Sequence, residues 1–214
     1  MPSPTEPKNH YFSVDPDSPS EERTVEVLLA DLAFTIRTDS GVFAHGKVDT
    51  GTQLLLAQPA AIPADGNLLD LGCGAGVIAV TLAQRAPGAQ IWAVDVNPRA
   101  RDLCAKNAQA LGLDNVIVAA PSEVPEDLRF AGIWSNPPIR IGKHAVHDLL
   151  DHWLWRILPE GEIWLVVSKH LGADSLQQWM QQRGARTERV TSKAGYRILR
   201  AFIDSDAWRI NSDT

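Results

Sequence analysis

The sequence predicts a doubly wound α/β fold, a mostly parallel sheet with helices on both faces and a hairpin at one edge. Three observations carry this. From Asn67 onward, short apolar runs of strand length alternate with helical segments, the pattern of a parallel sheet covered on both sides. The first of these strands runs into a glycine-rich turn, Gly72-Cys73-Gly74-Ala75-Gly76, which opens a helix. The last two strand-like runs, Glu188–Thr191 and Arg197–Ile203, have no helix between them and read as a hairpin.

Taken in order, residues 1–22 form a polar tail rich in Pro, Ser, Asp and Glu. Thr24–Thr38 alternates apolar and polar residues around Ala30-Asp31, a β-hairpin pattern, and Asp39-Ser40-Gly41 is a turn. Thr50–Gln58 reads as a short helix begun by a threonine cap. Asn67–Leu71 is a buried strand, Val77–Arg85 a helix and Gln90–Val94 a strand. Pro98–Leu111 is a helix with proline in its first turn and Gly112 just past its end. Val116–Ala119 and Gly132–Ser135 are short strands, His144–Leu158 is helical, and Glu162–Val167 is a strand. Asp174–Arg183 is a helix stopped by Gly184. The domain spans residues 23–204, with 23–60 as a hairpin extension at its start and 205–214 as a C-terminal tail.

Composition bounds the function. At 214 residues, 44% hydrophobic and 21% charged, the chain suffices for one domain that folds without staples. Cys73 and Cys104 then read as reduced thiols. The N-terminus has no apolar core of a secretory signal, and no apolar run is long enough to span a bilayer, so the expectation is a cytoplasmic protein with no membrane partner. A net charge of −6 argues against bulk nucleic-acid binding. The acid is concentrated before Leu71, however, and the C-terminal third is slightly basic, which leaves room for a local RNA surface.

Two motifs carry chemistry. A lone glycine turn is weak evidence, since nicotinamide and flavin proteins use a similar one. Here Asp70 stands two positions ahead of Gly72, where a carboxylate repels a pyrophosphate but suits a cofactor bearing an ammonium and a sulfonium. Asp95 ends the next strand, where it can accept hydrogen bonds from both hydroxyls of a ribose. The competing reading for each is a helix cap. The second motif is Ser135-Asn136-Pro137-Pro138-Ile139, directly after the fourth strand of the alternating unit. Two prolines remove two N–H donors and stiffen the loop, leaving the Asn136 side-chain oxygen and the Pro137 carbonyl as fixed acceptors. Such acceptors suit an amino group conjugated to a ring or carbonyl. The bland reading is a plain turn.

On these residues the chain resembles the small-domain class I S-adenosylmethionine-dependent methyltransferases, in particular the 16S ribosomal RNA guanine-N2 methyltransferase family. The likeness covers about Gly41 to Phe202 and includes Gly41-Val42-Phe43-Ala44, Val48–Leu56, Leu69–Val77 and Ser135–Pro138. The resemblance implies a Rossmann-like, seven-stranded sheet whose last strand is antiparallel. It implies S-adenosyl-L-methionine as cofactor, with contacts at Asp70, Gly72, Cys73, Gly74, Gly76, Asp95 and Val96, and with the Asp49–Thr52 segment, Thr52 among its contacts, beside the methionine end. Asn136, Pro137 and Pro138 would be catalytic, and Asn136, Ile139, Arg140 and Lys143 would meet the substrate. The implied partner is RNA, ribosomal, presenting an unpaired or flipped guanine to a monomer or weak homodimer; DNA is not expected. Family enzymes that act on nucleobases often have an aromatic residue after Asn-Pro-Pro, where this chain has Ile139. Many also hold the adenine with Ser-Asp, where this chain has Ala119-Ala120-Pro121-Ser122. The ribosomal enzymes often carry a second, inactive copy of the domain, which is not expected in this chain.

Other candidates take ordinary readings. His144, His147, Asp148, Asp151 and His152 fall on adjoining helical turns, but nothing else supports a metal, and none is expected. Trp92, Trp134 and Trp164 in strands, and Trp153, Trp155 and Trp179 in helices, read as core. Lys193 and Arg197 flank Gly195-Tyr196, where they can face phosphates while Tyr196 supplies a stacking ring, the preferred competing reading of Tyr196 being an ordinary core or surface aromatic. Three functions follow: an RNA N-methyltransferase, a methyltransferase of a protein glutamine amide or small molecule, and a non-catalytic cofactor or RNA binder.

Overall fold

The computed structural model describes residues 21–40, 42, 46–138 and 142–203. The expected tails lie almost wholly outside these. Strands β1 (Glu22–Leu28) and β2 (Ala33–Asp39) form the expected hairpin as a separate two-stranded sheet. Helix α1 (Thr50–Leu56) follows, capped by Asp49 rather than by a threonine, because the Asp49 carboxylate accepts from the Thr52 N–H at 3.0 Å.

The alternating unit then builds the main sheet. It runs β3 (Asn67–Leu71), α2 (Val77–Arg85), β4 (Gln90–Val94), α3 (Pro98–Ala110), β5 (Val116–Ala119), β6 (Phe130–Ser135), α4 (Lys143–Leu154), β7 (Ile157–Ser168), α5 (Ala173–Gln182), β8 (Ala185–Lys193) and β9 (Tyr196–Ile203). Seven strands lie in the order β5-β4-β3-β6-β7-β9-β8. The pairs among β3 to β7 are parallel, and β9 inserts antiparallel between β7 and β8. The fold is thus the α/β, Rossmann-like, seven-stranded sheet with an antiparallel last strand and a preceding hairpin.

Alternation along each strand fills two cores. Leu69, Leu71, Ile133 and Leu165 pack with α4 and α5 residues such as Leu150, Trp153 and Leu176 on one face. Leu68, Ile91, Trp134 and Val166 pack with Leu55, Ile78 and Leu82 of α1 and α2 on the other. The hairpin forms a further layer over α2 and α3 through Val27, Phe34, Ile36, Val80, Ala100 and Leu103. Trp134, Trp153 and Trp164 are buried as expected, while Trp92, Trp155 and Trp179 are half-buried at the core margin.

The expected helix His144–Leu158 is too long, and Thr50–Gln58 is too long by two residues. Helix α4 stops at Leu154 and Ile157-Leu158 already belong to β7. The apolar spacing runs on through this segment, but tertiary contacts end the helix. Ile157 pairs with Phe130, and the Arg156 guanidinium turns inward to the carbonyls of Leu128 and Pro125 and over the Trp153 ring. Among the described residues, no helix is long and apolar enough to cross a membrane.

Candidate active site

The order β4-β3-β6 places the switch in winding direction between β3 and β6, where open α/β sheets bind ligands beyond the carboxyl ends of their strands. The glycine loop follows β3 and Asn136 follows β6, so both motifs meet there. Together with Thr38, Lys47, Asp49 and Thr52, Asn136 and the loop residues Gly72, Cys73 and Gly74 line one cleft.

The loop is held tightly. Gly72 and Cys73 donate to the Val94 carbonyl at 2.8 and 3.1 Å, drawing the turn back over β4. Gly76 begins α2 at φ +87°, and a Cβ there would lie 2.6 Å from the Cys104 sulfur, so neither backbone nor space admits a side chain. Gly72 differs: its φ is +76°, and a Cβ there would meet nothing within 4 Å. That open flank leaves the backbone free for close approach by a ligand.

The two acidic residues are placed differently. Asp70 is fully buried, and its Oδ2 accepts from the Ala79 N–H in the first turn of α2 at 2.9 Å. The capping alternative is therefore realised at Asp70. Its Oδ1 is buried with no hydrogen-bond partner among the described residues. Burial pushes this carboxyl up to about 8 against the pull of the Ala79 N–H. Asp95 is half-buried and accepts from the Gly74 N–H (Oδ2) and the Asn97 N–H (Oδ1), each at 2.9 Å. Burial raises its carboxyl too, opposed by those two N–H groups and Arg101. Helix α3 is capped by Asn97, not by Asp95. The Val96 carbonyl accepts from Arg101 at 2.9 Å.

Asn136 is oriented by neighbours from α1. Its Nδ2 donates to Asp49 Oδ1 at 2.8 Å and to Thr52 Oγ1 at 3.0 Å. A carboxylate only accepts, so the amide nitrogen must face Asp49 and the amide oxygen the other way. Pro137 is buried and Pro138 half-buried behind it. Ile139 and Arg140 lie outside the described residues. Lys143 is exposed at the start of α4.

Sequence reasoning did not pair Asp49 with Asn136, nor did it bring Thr38 and Lys47 to the cleft. An aspartate immediately before Thr-Gly-Thr is a cap signal that was open to reading. Tyr196 packs as a half-buried aromatic at the margin of the core. Its hydroxyl donates to Asp49 Oδ2 at 3.4 Å, and its ring lies against Gly51, where a Cβ would stand 2.8 Å away. Arg197 pairs with Asp174 instead of facing solvent phosphates, and Arg189 meets the same carboxylate at 2.7 Å.

The helical His/Asp set does not converge on one point. His144 meets Asp148 at 2.8 Å, Asp151 pairs with Arg183 at 2.9 Å, and His147 stacks on Trp179 at 4.3 Å. No group of three or more His, Cys, Asp or Glu residues able to hold a metal occurs among the described residues.

Known proteins place this arrangement. The family model for the methyltransferase small domain matches residues 33–200. The uncharacterized protein YbxB of Bacillus subtilis (strain 168) is 35% identical over 195 residues, covering 90% of this chain and 97% of that one. Ribosomal RNA small subunit methyltransferase C of Pseudomonas aeruginosa (strain LESB58) is 35% identical over 161 residues, covering 73% of this chain and 48% of that protein. The chain thus spans about half the length of the curated methyltransferases it matches. The structure of the T. thermophilus 16S rRNA N2 G1207 methyltransferase (RsmC) in complex with AdoMet and guanosine superposes with a TM-score of 0.72 at 24% identity, covering 88% of this chain and 52% of that one. The cofactor is S-adenosylmethionine, and the open flank at Gly72 and the unpartnered Asp70 Oδ1 fit such a cationic group. The chain belongs to the methyltransferase small-domain family.

Proposed function

We propose that this protein methylates the exocyclic N2 amino group of a guanine in small-subunit ribosomal RNA. The observation that carries the reading is the orientation of Asn136, whose amide nitrogen is held by Asp49 and Thr52 so that Oδ1 is left as an acceptor. An acceptor fixed at the cofactor cleft selects a group that brings N–H donors, which an exocyclic amine does.

In this reading Asp95 takes the ribose hydroxyls with the lone pairs its two backbone bonds leave, and Asp70 Oδ1 faces the ammonium. Gly72, Cys73, Gly74, Gly76 and Val96 shape the backbone wall, and Thr52 stands near the methionine end. The cofactor supplies an electrophilic methyl carbon bonded to a sulfonium. Asn136 Oδ1 and the Pro137 carbonyl accept the two amino protons, and this turns the nitrogen lone pair out of conjugation with the ring. Pro137 and Pro138 keep those acceptors from relaxing, so proximity and alignment do most of the catalysis. No base is needed beforehand, because the methylated nitrogen is a cation that gives its proton to water. Arg140 and Lys143 follow the loop and would meet phosphates of an unpaired segment.

The support from relatives is that proteins 30–36% identical to this chain are named as ribosomal RNA methyltransferases. A second reading, transfer to a glutamine amide of a protein or to a small molecule, is favoured by Ile139, which offers no ring on which a base can stack. The two separate cleanly by offering labelled cofactor to ribosomal subunits, naked small-subunit RNA and a protein extract in parallel. Label recovered as N2-methylguanosine is expected. Label found only in peptide or small-molecule fractions would overturn the RNA assignment.

A further inference from the structure

An asparagine amide is nearly symmetric in shape but opposite in chemistry at its two ends. Turned one way, Asn136 offers an oxygen to an amino group; turned the other, it offers N–H donors to N–H donors. Nothing within Asn136 itself decides between these. The decision comes from α1, where Asp49 Oδ1 lies 2.8 Å from the Asn136 nitrogen. Turned over, two acceptor oxygens would face each other at that distance in a partly buried place, an unfavourable contact.

Asp49 is in turn held from three sides. Its Oδ1 accepts the Thr52 N–H at 3.0 Å, its backbone carbonyl accepts the Gln53 N–H at 3.0 Å, and Tyr196 donates to its Oδ2 at 3.4 Å. Tyr196 reaches it because Gly51 has no side chain; a Cβ there would lie 2.8 Å from the tyrosine ring. The helix-capping duty of Asp49 accounts for the contact with Thr52. It does not account for contacts to Asn136 and Tyr196, which stand 87 and 147 residues away in sequence. Serine caps a helix as well as aspartate does but is too short to reach Asn136.

We propose that Asp49 is a positioning residue for methyl transfer, fixing the Asn136 amide with its oxygen toward the acceptor nitrogen. The inference rests on the reading above, in which Asn136 receives the amino group. It extends that reading to a cleft residue whose effect on the acceptor runs through the Asn136 amide.

The test uses the full chain, labelled S-adenosylmethionine and a small-subunit RNA transcript in single turnover. Asp49→Ser should lower the transfer rate about tenfold or more, as loss of a positioning contact does, a larger effect than any change in cofactor affinity measured on the same preparation. Asp49→Asn, which keeps an oxygen toward Asn136 and Thr52, should recover most of that loss. In an Asn136→Ala background, Asp49→Ser should cost nothing further, because the amide it positions is gone. A rate near wild type for Asp49→Ser, or losses that multiply in the double variant, would overturn the proposal. Hydrogen exchange of the Asn136 side-chain amide, followed by NMR, gives a readout free of any acceptor. Slow exchange in the wild type and Asp49→Asn but fast exchange in Asp49→Ser is expected. Equal exchange in all three would reject Asp49 as the restraint. If the wild type labels no RNA, the RNA reading fails, and the exchange rates decide the role of Asp49 by themselves.

Discussion

Asp70 combines full burial, one backbone hydrogen bond and one unpartnered oxygen, and these set a sign for the pH dependence of stability. Its carboxyl titrates near 3.8 in an unfolded chain and is pushed up to about 8 by burial. Below the unfolded value both states hold the proton. Between the two values the folded state keeps a proton that the unfolded chain has lost, so this contribution is greatest at low pH and disappears as pH rises toward 8. The slope is at most about 1.4 kcal/mol per pH unit. Asp95, also raised by burial, adds a slope of the same sign. Asp70→Asn keeps an oxygen for the Ala79 N–H and removes the titration. Urea denaturation at several values between about pH 5 and 8 should therefore show a flatter decline in the variant than in the wild type. Parallel declines would mean that Asp70 ionises in the folded protein as it does in water. At this scale the sequence was informative where chemistry is local. Asp70, Gly72, Gly74 and Asp95 stand in one strand–loop–helix–strand unit, and Asn136 in one rigid tripeptide. The contacts of Asp49, Tyr196 and Arg197 were not legible, because each partner comes from a remote part of the chain.

Between elements, Asn107 ties the hairpin to the site. This buried side chain on α3 accepts from the Arg37 N–H at 2.8 Å and donates to the Arg37 carbonyl at 2.9 Å and the Ala75 carbonyl at 2.8 Å. One residue thus joins β2, α3 and the glycine loop. Asn107→Ala would leave three backbone groups without that partner in a place with little room for water. A destabilisation of about 3 kcal/mol is expected by urea denaturation, with reduced cofactor affinity following from a looser loop. A loss below about 1 kcal/mol would show that the backbone groups find other partners. Four elements, Asn67–Leu71, Val77–Arg85, Gln90–Val94 and Val116–Ala119, match the structure residue for residue, whereas β7 and β8 run longer than Glu162–Val167 and Glu188–Thr191. One of the differences has a plain cause. The end of α4 is set by Ile157 pairing with Phe130 and by Arg156 reaching the carbonyls of the preceding loop, neither of which leaves a mark on local spacing.

Across the whole molecule, the sheet brings the cofactor and acceptor motifs of the proposed site together at the carboxyl ends of three neighbouring strands, β4, β3 and β6. Strands β3 and β4 carry Asp70, the glycine loop and Asp95, and β6 carries Asn136. Helix α1 closes the cleft from above, linked to β6 through Asn136 and to β9 through Tyr196. In the proposed function Asn136 Oδ1 receives the acceptor, while Nδ2 of the same amide ties the loop after β6 to Asp49 and Thr52. Cofactor binding and methyl transfer should therefore be separable by a single substitution. The direct measurement is to determine S-adenosylmethionine affinity and the single-turnover rate on the same preparation of Asn136→Ala. The account predicts affinity close to wild type and a rate lower by about 10²–10³. A transfer rate within a few-fold of wild type would contradict it.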